Sequence, residues 1–231
     1  DIVIGAHAAD PGNPEAGSSY VVFGRGGGAA VIDLATLDGT NGFRLDGTGS
    51  ADHAGWAVGS GGDFNGDGLA DLLIGAYGPN SFAGATYLVF GSSTSLGATL
   101  ALASLGAAGI RFDGSAGLDY SGAAVSAGDV NGDGFDDLLI GAYGADPTAT
   151  SAGSAYVVFG HDGPFDEVVA LNTLNEASGF RIDGPPESAQ LGRALTAAGD
   201  LNGDGFDDIA LRAPGTDLGG TDRGTSHVLF G

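Results

Sequence analysis

An acidic nine-residue segment occurs three times in this chain, and its repetition constrains the fold more than any other feature of the sequence. The copies lie at residues 63–71, 129–137 and 200–208, so they start 66 and 71 residues apart. Each copy reads Asp-X-Asn-Gly-Asp-Gly-X-X-Asp and is followed at once by a short apolar run. The final Asp of the segment and the apolar run after it also occur at the start of the sequence, where residues 1–6 align with residues 71–76. Self-similarity at a long period predicts a repeat architecture in which each unit buries its apolar faces against its neighbours.

Four short segment types, which we name A, B, C and D, recur in fixed order around the acidic copies. Each is short, rich in β-branched and aromatic residues, and bounded by Gly, Asn, Asp or Ser, which is typical of β-strands. Only residues 29–37 and 96–105 allow helical structure, and both are short, so we predict irregular crossovers or a helical turn there. Segment A lies at residues 55–59, 122–125 and 192–195, B at 2–4, 72–74, 138–140 and 209–211, C at 20–24, 87–91, 156–160 and 227–231, and D at 43–47, 110–114 and 180–184.

A repeated unit of four antiparallel strands predicts an all-β fold, a β-propeller of four-stranded antiparallel blades. The rival fold, a parallel β-helix of calcium-binding nonapeptides, has far shorter repeats. Because the chain has no Met and begins within a repeat, we expect it to be part of a longer protein. The remaining blades or a second protomer are then expected to cover the open strand edges. The segments amount to 14 strands in about three and a half blades, with repeat units at residues 1–47, 48–114, 115–184 and 185–231.

The chain is strongly acidic, and its charge narrows the expected partners. Its 231 residues carry 29 acidic and 7 basic side chains, for a formal net charge of −22. This balance argues against nucleic acid or an anionic membrane as a partner and favours a multivalent cation. No apolar run approaches the roughly 20 residues that span a bilayer, so membrane insertion is not expected. The absence of Cys excludes disulfide bonds and thiol chemistry.

Each acidic copy has the oxygen-rich pattern of a calcium-binding loop. Carboxylates and amides occupy positions 1, 3, 5 and 9 around a Gly at position 6, and Ca²⁺ takes about six to eight oxygen ligands of this kind. Position 7 is expected to contribute its backbone carbonyl, which allows an apolar side chain there. We therefore predict three Ca²⁺ sites. Their ligands are Asp63, Asn65, Asp67, Leu69 and Asp71 in the first loop, Asp129, Asn131, Asp133, Phe135 and Asp137 in the second, and Asp200, Asn202, Asp204, Phe206 and Asp208 in the third.

The acidic copies have other interpretations, and the residues argue against each of them. Asp, Asn and Gly also favour plain turns, but three copies with identical spacing favour the cation. An EF-hand needs Glu at position 12, where this chain has Ile74, Ile140 or Leu211. Mg²⁺ is disfavoured because it retains its water ligands. Since no helix pair is predicted that an ion would open, the expected role of the ion is structural.

These motifs resemble FG-GAP repeats, the blades of the integrin α-subunit head propeller and its bacterial relatives. The resemblance implies a calcium loop between the first two strands of a blade. It also implies an extracellular or cell-surface interaction platform stabilised by calcium, and it does not identify the ligand. The GAP element appears at residues 75–77, 141–143 and 213–214, and the FG element is reduced to a glycine at residues 55, 122 and 192.

The leading functional hypothesis is a calcium-stabilised extracellular module for binding or adhesion, with a protein or a glycan as its ligand. A calcium-dependent, lectin-like propeller is one alternative, and the propeller part of a polysaccharide-acting enzyme is another. No paired Glu, Lys base or Ser-His-Asp arrangement recurs in the sequence. We therefore predict that the chain is not an enzyme.

Two arginines distinguish the last repeat from the others. Arg212 stands where the other repeats have Gly, and Arg193 stands where they have Trp56 or Ala123. Both are expected on the neighbouring strands A and B. The favoured interpretation is a blade edge that tolerates bulk, and the alternative is a paired contact with an anionic ligand. Trp56 and the aromatic residues of segment C are predicted to form core between blades rather than a sugar-stacking platform.

Overall fold

The computed structural model describes residues 1–26, 31–186, 188–217 and 223–231, and the regular secondary structure in this part of the chain is almost entirely β-strand. The helical elements described are single turns, at Pro79–Phe82, Leu34–Thr36, Leu102–Ser104, Gly106–Ala108 and Leu171–Thr173. The strands are β1 Ile2–Ala6, β2 Ser18–Val22, β3 Gly42–Asp46, β4 Ala57–Gly62, β5 Asp71–Ala76, β6 Ala85–Val89, β7 Thr99–Ala101, β8 Gly109–Asp113, β9 Ala124–Gly128, β10 Asp137–Ala142, β11 Ser154–Val158, β12 Val168–Ala170, β13 Gly179–Asp183, β14 Ala194–Ala197, β15 Ile209–Ala213 and β16 Thr225–Leu229.

The strands form four sheets that follow one another along the chain. The first sheet has the order β1-β2-β3-β7, and the second has the order β4-β5-β6-β8-β12. The third is β9-β10-β11-β13, and the fourth is β14-β15-β16. Segments A, B, C and D are consecutive antiparallel strands in the second and third sheets, while the described part of the first sheet has B, C and D and that of the fourth has A, B and C. Their register repeats: Ile74 pairs with Tyr87 as Ile140 pairs with Tyr156.

Two short strands, β7 and β12, were not predicted, so the described residues contain 16 strands rather than 14. Each lies in the connection between segments C and D of one unit and pairs in parallel with strand D of the preceding unit, β7 with β3 and β12 with β8. The prediction for residues 96–105 was therefore incomplete, because a helical turn there is preceded by β7. In residues 29–37, a helical turn lies at Leu34–Thr36, while residues 29 and 30 lie outside the described residues. Three-residue strands are too short to show an alternating pattern in the sequence.

Apolar side chains are buried between successive sheets, and alternate residues of one strand face opposite neighbours. On β5, Ile74 packs with Leu45 of the first sheet. Its neighbour Leu73 packs with Leu138 and Ile140 of the third sheet. Stacking is needed because a lone four-stranded sheet leaves both faces in water. Four sheets stacked face to face in this way form a partial β-propeller, so the predicted all-β fold class is confirmed.

A glycine in strand B marks the closest approach of neighbouring sheets. Gly75 lies against the backbone carbonyl of Gly122, and a Cβ atom at residue 75 would overlap that oxygen. Gly141 lies against the carbonyl of Gly192 in the same way, and Gly5 lies against that of Gly55. This contact accounts for the Gly that begins the GAP-like elements at residues 75–77 and 141–143, because no larger residue fits between the two backbones.

Gly75→Ala and Gly141→Ala are each expected to destabilise the fold by about 1–3 kcal/mol, because the new methyl group forces the sheets apart. Urea unfolding monitored by circular dichroism provides the measurement. Gly12→Ala is the matched control, since a Cβ atom at Gly12 meets no neighbour within 4 Å. Equal unfolding midpoints for the two strand variants and the control would show that the sheets do not depend on this contact.

Candidate functional site

The three acidic loops connect strands A and B of the second, third and fourth sheets, and their own side chains close them. In the second loop, Asp129 accepts hydrogen bonds from the backbone N–H groups of Asp133, at 3.1 Å, and Gly134, at 3.0 Å. Asn131 also accepts from Asp133, and Asp133 accepts from Phe135, both at 2.9 Å. The third loop repeats all four bonds. The first loop repeats three of them, and the bond from the Asp67 N–H group to Asp63 is not among them. Gly at position 6 has a positive φ in all three loops, which explains the residue type there.

The Asp at position 9 is buried and anchors the loop to the end of strand C. Asp137 is fully buried, and it accepts hydrogen bonds from the N–H groups of Val130 and Gly160, each at 3.0 Å. Asp71 and Asp208 make the corresponding pairs of bonds in their sheets. Asp1 holds Gly24 in the first sheet at 2.8 Å. One carboxylate in each repeat therefore ties strand B to the residue that follows strand C.

Burial makes these carboxyl groups unusual acids. It raises the pKa of Asp137 to about 7, and the nearby Asp133 adds to this rise while hydrogen bonds from Gly160 and Val130 oppose it. Burial likewise raises the pKa of Asp71 to about 6, with smaller contributions from Asp67 and Asp63. Both shifts mean that the negative charge is poorly stabilised by its surroundings. A bound cation would favour the ionised form.

The residues of the first loop fit a cation at one particular atom. Asp63 Oδ1 is buried and has no hydrogen-bond partner. An unpartnered carboxylate oxygen in a loop of further carboxylate and amide oxygens suits a hard cation such as Ca²⁺. Within the described ranges, no three acidic or histidine side chains converge closely enough to form a metal cluster as they stand. The predicted ligands at positions 1, 3 and 5 lie together in each loop, but most of their oxygens accept loop N–H groups.

Neighbouring loops contact one another through residues that the sequence reasoning did not single out. The carboxylate of Asp136, at position 8, accepts a hydrogen bond of 2.8 Å from the N–H group of Asp63 in the preceding loop. The ring of Phe135 covers Gly66 of that loop. The third loop is joined to the second by a 2.9 Å bond from the Asp207 N–H group to the Asp129 carbonyl. The sequence did contain a signal for this contact: position 8 is Asp136 in the second loop and Asp207 in the third, whereas the first loop has Ala70 there.

The opposite end of the sheets carries a row of aromatic side chains, which we name the aromatic row. Trp56 makes edge-to-face contacts with His7, at 4.8 Å between ring centroids, and with Tyr77, at 4.9 Å. Tyr77 lies 6.1 Å from Tyr120, which stacks on Tyr143 at 5.0 Å. The prediction that Trp56 is core is wrong, because 48% of it is exposed.

The segment C tyrosines behave as predicted where the sheets are covered on both faces. Tyr87 and Tyr156 are both buried in the core between sheets. Trp56 differs because it lies just before β4 rather than within it, at the end of the sheet where solvent reaches its ring. The prediction for Trp56 was wrong because it assigned this residue to strand A, whereas β4 starts at Ala57.

Arg193 and Arg212 do not share a face of the fourth sheet. The Arg193 guanidinium lies 4.8 Å above the ring of Tyr143 in the third sheet, and it contacts Gln190 at 3.4 Å. Arg212 lies in β15 and lines a pocket with Arg223. The prediction that Arg193 belongs to strand A is wrong by one residue, since β14 starts at Ala194. The paired contact of Arg193 and Arg212 with one anion therefore lacks support.

A cavity of about 730 Å³ lies between the first and second sheets. Its walls are mostly apolar, with Val21, Phe43 and Leu72 among them. Between later sheets, the position 2 side chains Phe64 and Val130 are buried in the inter-sheet core.

The fold and its loops define a class of protein: a β-propeller whose blades carry an acidic loop between their first two strands. The family model for the FG-GAP repeat matches residues 54–89, 121–158 and 191–229. The chain is therefore a member of the FG-GAP repeat proteins. Each matched segment begins just before strand A and ends at or near the end of strand C, so it contains one acidic loop.

The chain is also similar to integrin alpha chains. It is 32% identical to integrin alpha-V of Gallus gallus over 176 residues, which are 74% of this chain and 14% of the relative. It is 31% identical to integrin alpha-5 of Xenopus laevis over 177 residues, again 74% of this chain and 14% of the relative. Integrin alpha-PS2 of Drosophila melanogaster is 36% identical over 118 residues, 49% of this chain and 8% of that protein. The chain thus spans about a seventh of the length of its first relatives. Among the described residues, no helix is long and apolar enough to cross a membrane.

Asp137→Ala is expected to lower the stability measured in excess chelator by about 1–3 kcal/mol, because it leaves the N–H groups of Val130 and Gly160 without acceptors. Asp133→Ala is the matched control, as it removes an exposed carboxylate from the same loop. Chemical unfolding of both variants gives the comparison. If Asp133→Ala were as destabilising as Asp137→Ala, the buried bonds would not be what holds the loop.

Proposed function

We propose that this chain is part of a calcium-stabilised, extracellular adhesion propeller that binds a ligand without catalysing a reaction. The observation that carries the proposal is the threefold acidic loop, in which Asp63 Oδ1 is buried without a hydrogen-bond partner. The FG-GAP match and the similarity to integrin alpha chains support an adhesion module.

In each loop the ion would be held by the oxygens of positions 1, 3, 5 and 9 and by the carbonyl of position 7. In the second loop these residues are Asp129, Asn131, Asp133, Asp137 and Phe135. A bound Ca²⁺ supplies positive charge and a rigid set of oxygen contacts. The loop carboxylates repel one another without it, so binding is expected to favour the folded loop.

The role proposed for the ion is structural, because hydrogen bonds join the loops to the strands of their own sheets and, in the second loop, to the neighbouring loop. Position 9 ties the loop to strand C through Gly91, Gly160 or Gly231. Asp136 ties the second loop to the first. Stabilising one loop therefore stabilises strands B and C of its own sheet and the contact with the neighbouring sheet.

An extracellular or cell-surface location fits this chemistry. Calcium sites of extracellular modules work at dissociation constants of about 10⁻⁴–10⁻³ M, and such weak sites fill only where calcium is abundant. The proposed location rests on the similarity to integrin alpha chains.

Calcium is expected to raise the melting temperature by at least about 5 °C over a sample in chelator, since a site filled at 100 times its dissociation constant contributes about 2.7 kcal/mol. Differential scanning calorimetry measures the shift, and isothermal titration calorimetry is expected to give three ions per chain. Mg²⁺ at equal concentration should shift the melting temperature less.

The triple variant Asp67→Asn, Asp133→Asn and Asp204→Asn should lose most of this shift. A triple variant with the same change in charge outside the loops serves as control: Asp162→Asn, Asp166→Asn and Glu176→Gln, all exposed. An unchanged melting temperature in chelator would remove the calcium proposal. If both triple variants lost the same part of the calcium-dependent shift in melting temperature, that shift would be a general effect of charge rather than of binding in the loops.

A lectin-like module is the second candidate, and the aromatic row is the observation that favours it. Exposed aromatic rings next to polar groups are suited to contact the apolar faces of sugars. Trp56 has the required exposure, and it is held by His7 and Tyr77.

Trp56→Ala is expected to reduce binding on a glycan array in calcium buffer by about tenfold if this candidate is right, because the exposed ring would supply the stacking surface. Tyr87→Phe is a useful control, since it changes a buried aromatic residue away from the row. A wild-type chain that binds no glycan on the array would leave a protein ligand as the adhesion partner.

A further inference from the structure

The first acidic loop is held in place by a residue of the second loop, Asp136. The Asp136 carboxylate accepts a hydrogen bond of 2.8 Å from the Asp63 N–H group, and the Asp136 N–H group donates to the Asp63 carbonyl at 3.3 Å. The N–H group and the carbonyl of Asp63 are therefore both paired with one residue that lies 73 positions further along the chain. The placement of Asp63 thus depends on the second loop.

Asp63 is also the residue of the first loop that is prepared to contact a cation. Its Oδ2 atom accepts a hydrogen bond of 3.0 Å from the Gly68 N–H group, whereas its Oδ1 atom is buried and has no hydrogen-bond partner. Contacts behind the ligands of a metal site fix the orientation of those ligands and so affect the affinity for the metal. Asp136 has the place of such a positioning residue for the first loop.

Two further contacts join the same pair of loops. The ring of Phe135 covers Gly66, and a Cβ atom at residue 66 would overlap that ring. The His161 N–H group donates to the Phe64 carbonyl at 3.0 Å. The residue before His161 donates its N–H group to Asp137, also at 3.0 Å. The first loop is therefore held from both ends of the second loop's connection to its own sheet.

The residues that hold the first loop are next to expected ligands of the second loop or are ligands themselves. Phe135 is expected to offer its carbonyl at position 7, and Asp137 its carboxylate at position 9. Asp136 is the single residue between them. When Phe135 and Asp137 are held by an ion, Asp136 is held as well, and with it the backbone of Asp63.

The second and third loops are joined at the same positions. The Asp207 N–H group donates to the Asp129 carbonyl at 2.9 Å, and the ring of Phe206 covers Gly132. The first loop differs, since it has Leu and Ala at positions 7 and 8. Each of the first two loops is thus held by the loop that follows it in the chain.

We propose that the acidic loops are coupled, so that calcium binding in the second loop raises the calcium affinity of the first through Asp136, and binding in the third raises that of the second through Asp207. This inference rests on the calcium binding proposed above and adds that the sites are not independent. Coupling between two binding sites is reciprocal, so the first loop raises the affinity of the second by the same factor.

Charge alone would couple the loops with the opposite sign. The three ligand carboxylates of the second loop carry a formal charge of −3, which one Ca²⁺ reduces to −1. Asp133→Asn removes a ligand charge from this loop and leaves an empty loop at −2. A neighbour at −2 attracts a cation more than a neighbour at −1 does. Charge therefore predicts tighter binding in the first loop of this variant, whereas coupling through Asp136 predicts weaker binding.

The test is a titration with CaCl₂ followed by ¹H–¹⁵N NMR. The Gly68 N–H group donates to the first loop's position 1 carboxylate and the Gly134 N–H group to that of the second, so each signal reports on one loop. In Asp133→Asn, at calcium concentrations where the Gly134 signal shows an empty second loop, the first loop is expected to bind about fivefold more weakly than in the wild type. Asp204→Asn is the matched control, with the same change in the more distant third loop, and should weaken the first loop less.

Variants of Asp136 separate coupling from a merely structural role. In Asp136→Ala the first loop is expected to bind calcium equally well with and without Asp133→Asn, because the link between the loops is removed. Asp136→Asn retains a side-chain oxygen that can accept from the Asp63 N–H group, and it should restore most of the difference. A structural role alone would lower stability in Asp136→Ala and leave the difference intact.

The coupling is overturned if the first loop of Asp133→Asn binds calcium as tightly as that of the wild type, or more tightly. This comparison does not require Asp136→Ala to fold. Calcium-dependent shifts of both glycine signals together with that result would leave the calcium proposal standing. If neither the Gly68 signal nor the Gly134 signal responded to calcium, the calcium proposal and the coupling would both be wrong.

Discussion

The stacking of one sheet on the next is the constraint on which this structure depends. A sheet of three to five strands has two faces, and both faces of the second and third sheets are apolar. Neither sheet can be stable alone in water, so each blade supplies half of the core of its neighbours. The approach is closest where Gly75 meets Gly122 and Gly141 meets Gly192, and there the backbones themselves are in contact. The parallel strands β7 and β12 strengthen this arrangement, since each connects one unit to the sheet before it.

The acidic loops lie at one end of the stacked sheets, and hydrogen bonds join them to the strands of their own sheets and to one another. Most oxygens of their carboxylates close the loop on its own N–H groups, and the buried Asp at position 9 reaches across to the end of strand C. A loop of this kind is at once a turn and a set of cation ligands, and the two interpretations do not exclude each other. The unpartnered oxygen of Asp63 and the raised pKa of Asp137 indicate where positive charge would be favourable. A cation would add to a preformed hydrogen-bonded loop.

Surfaces where the repeat pattern is broken are candidates for contact with a ligand. The aromatic row gathers residues from connections between strands, among them Trp56, Tyr77 and Tyr143. The fourth sheet differs from the other three at Arg212, where each of them has a Gly that lies against a neighbouring backbone carbonyl. A departure from the repeat that packing does not require is a reason to look for a binding partner.

The sequence by itself determined the all-β class, the order of the strands within each blade and the position of the acidic loops. It could do so because local chemistry is repeated: the alternating Asp, Asn and Gly residues and the β-branched runs have the same meaning in every copy. Only the tertiary structure decided which side chains of different repeats meet. The link from Asp136 to Asp63, the exposure of Trp56, the separation of Arg193 from Arg212 and the strands β7 and β12 all depend on contacts between residues far apart in the chain. No local pattern encodes such contacts, because they arise from how the sheets are stacked rather than from what each segment prefers.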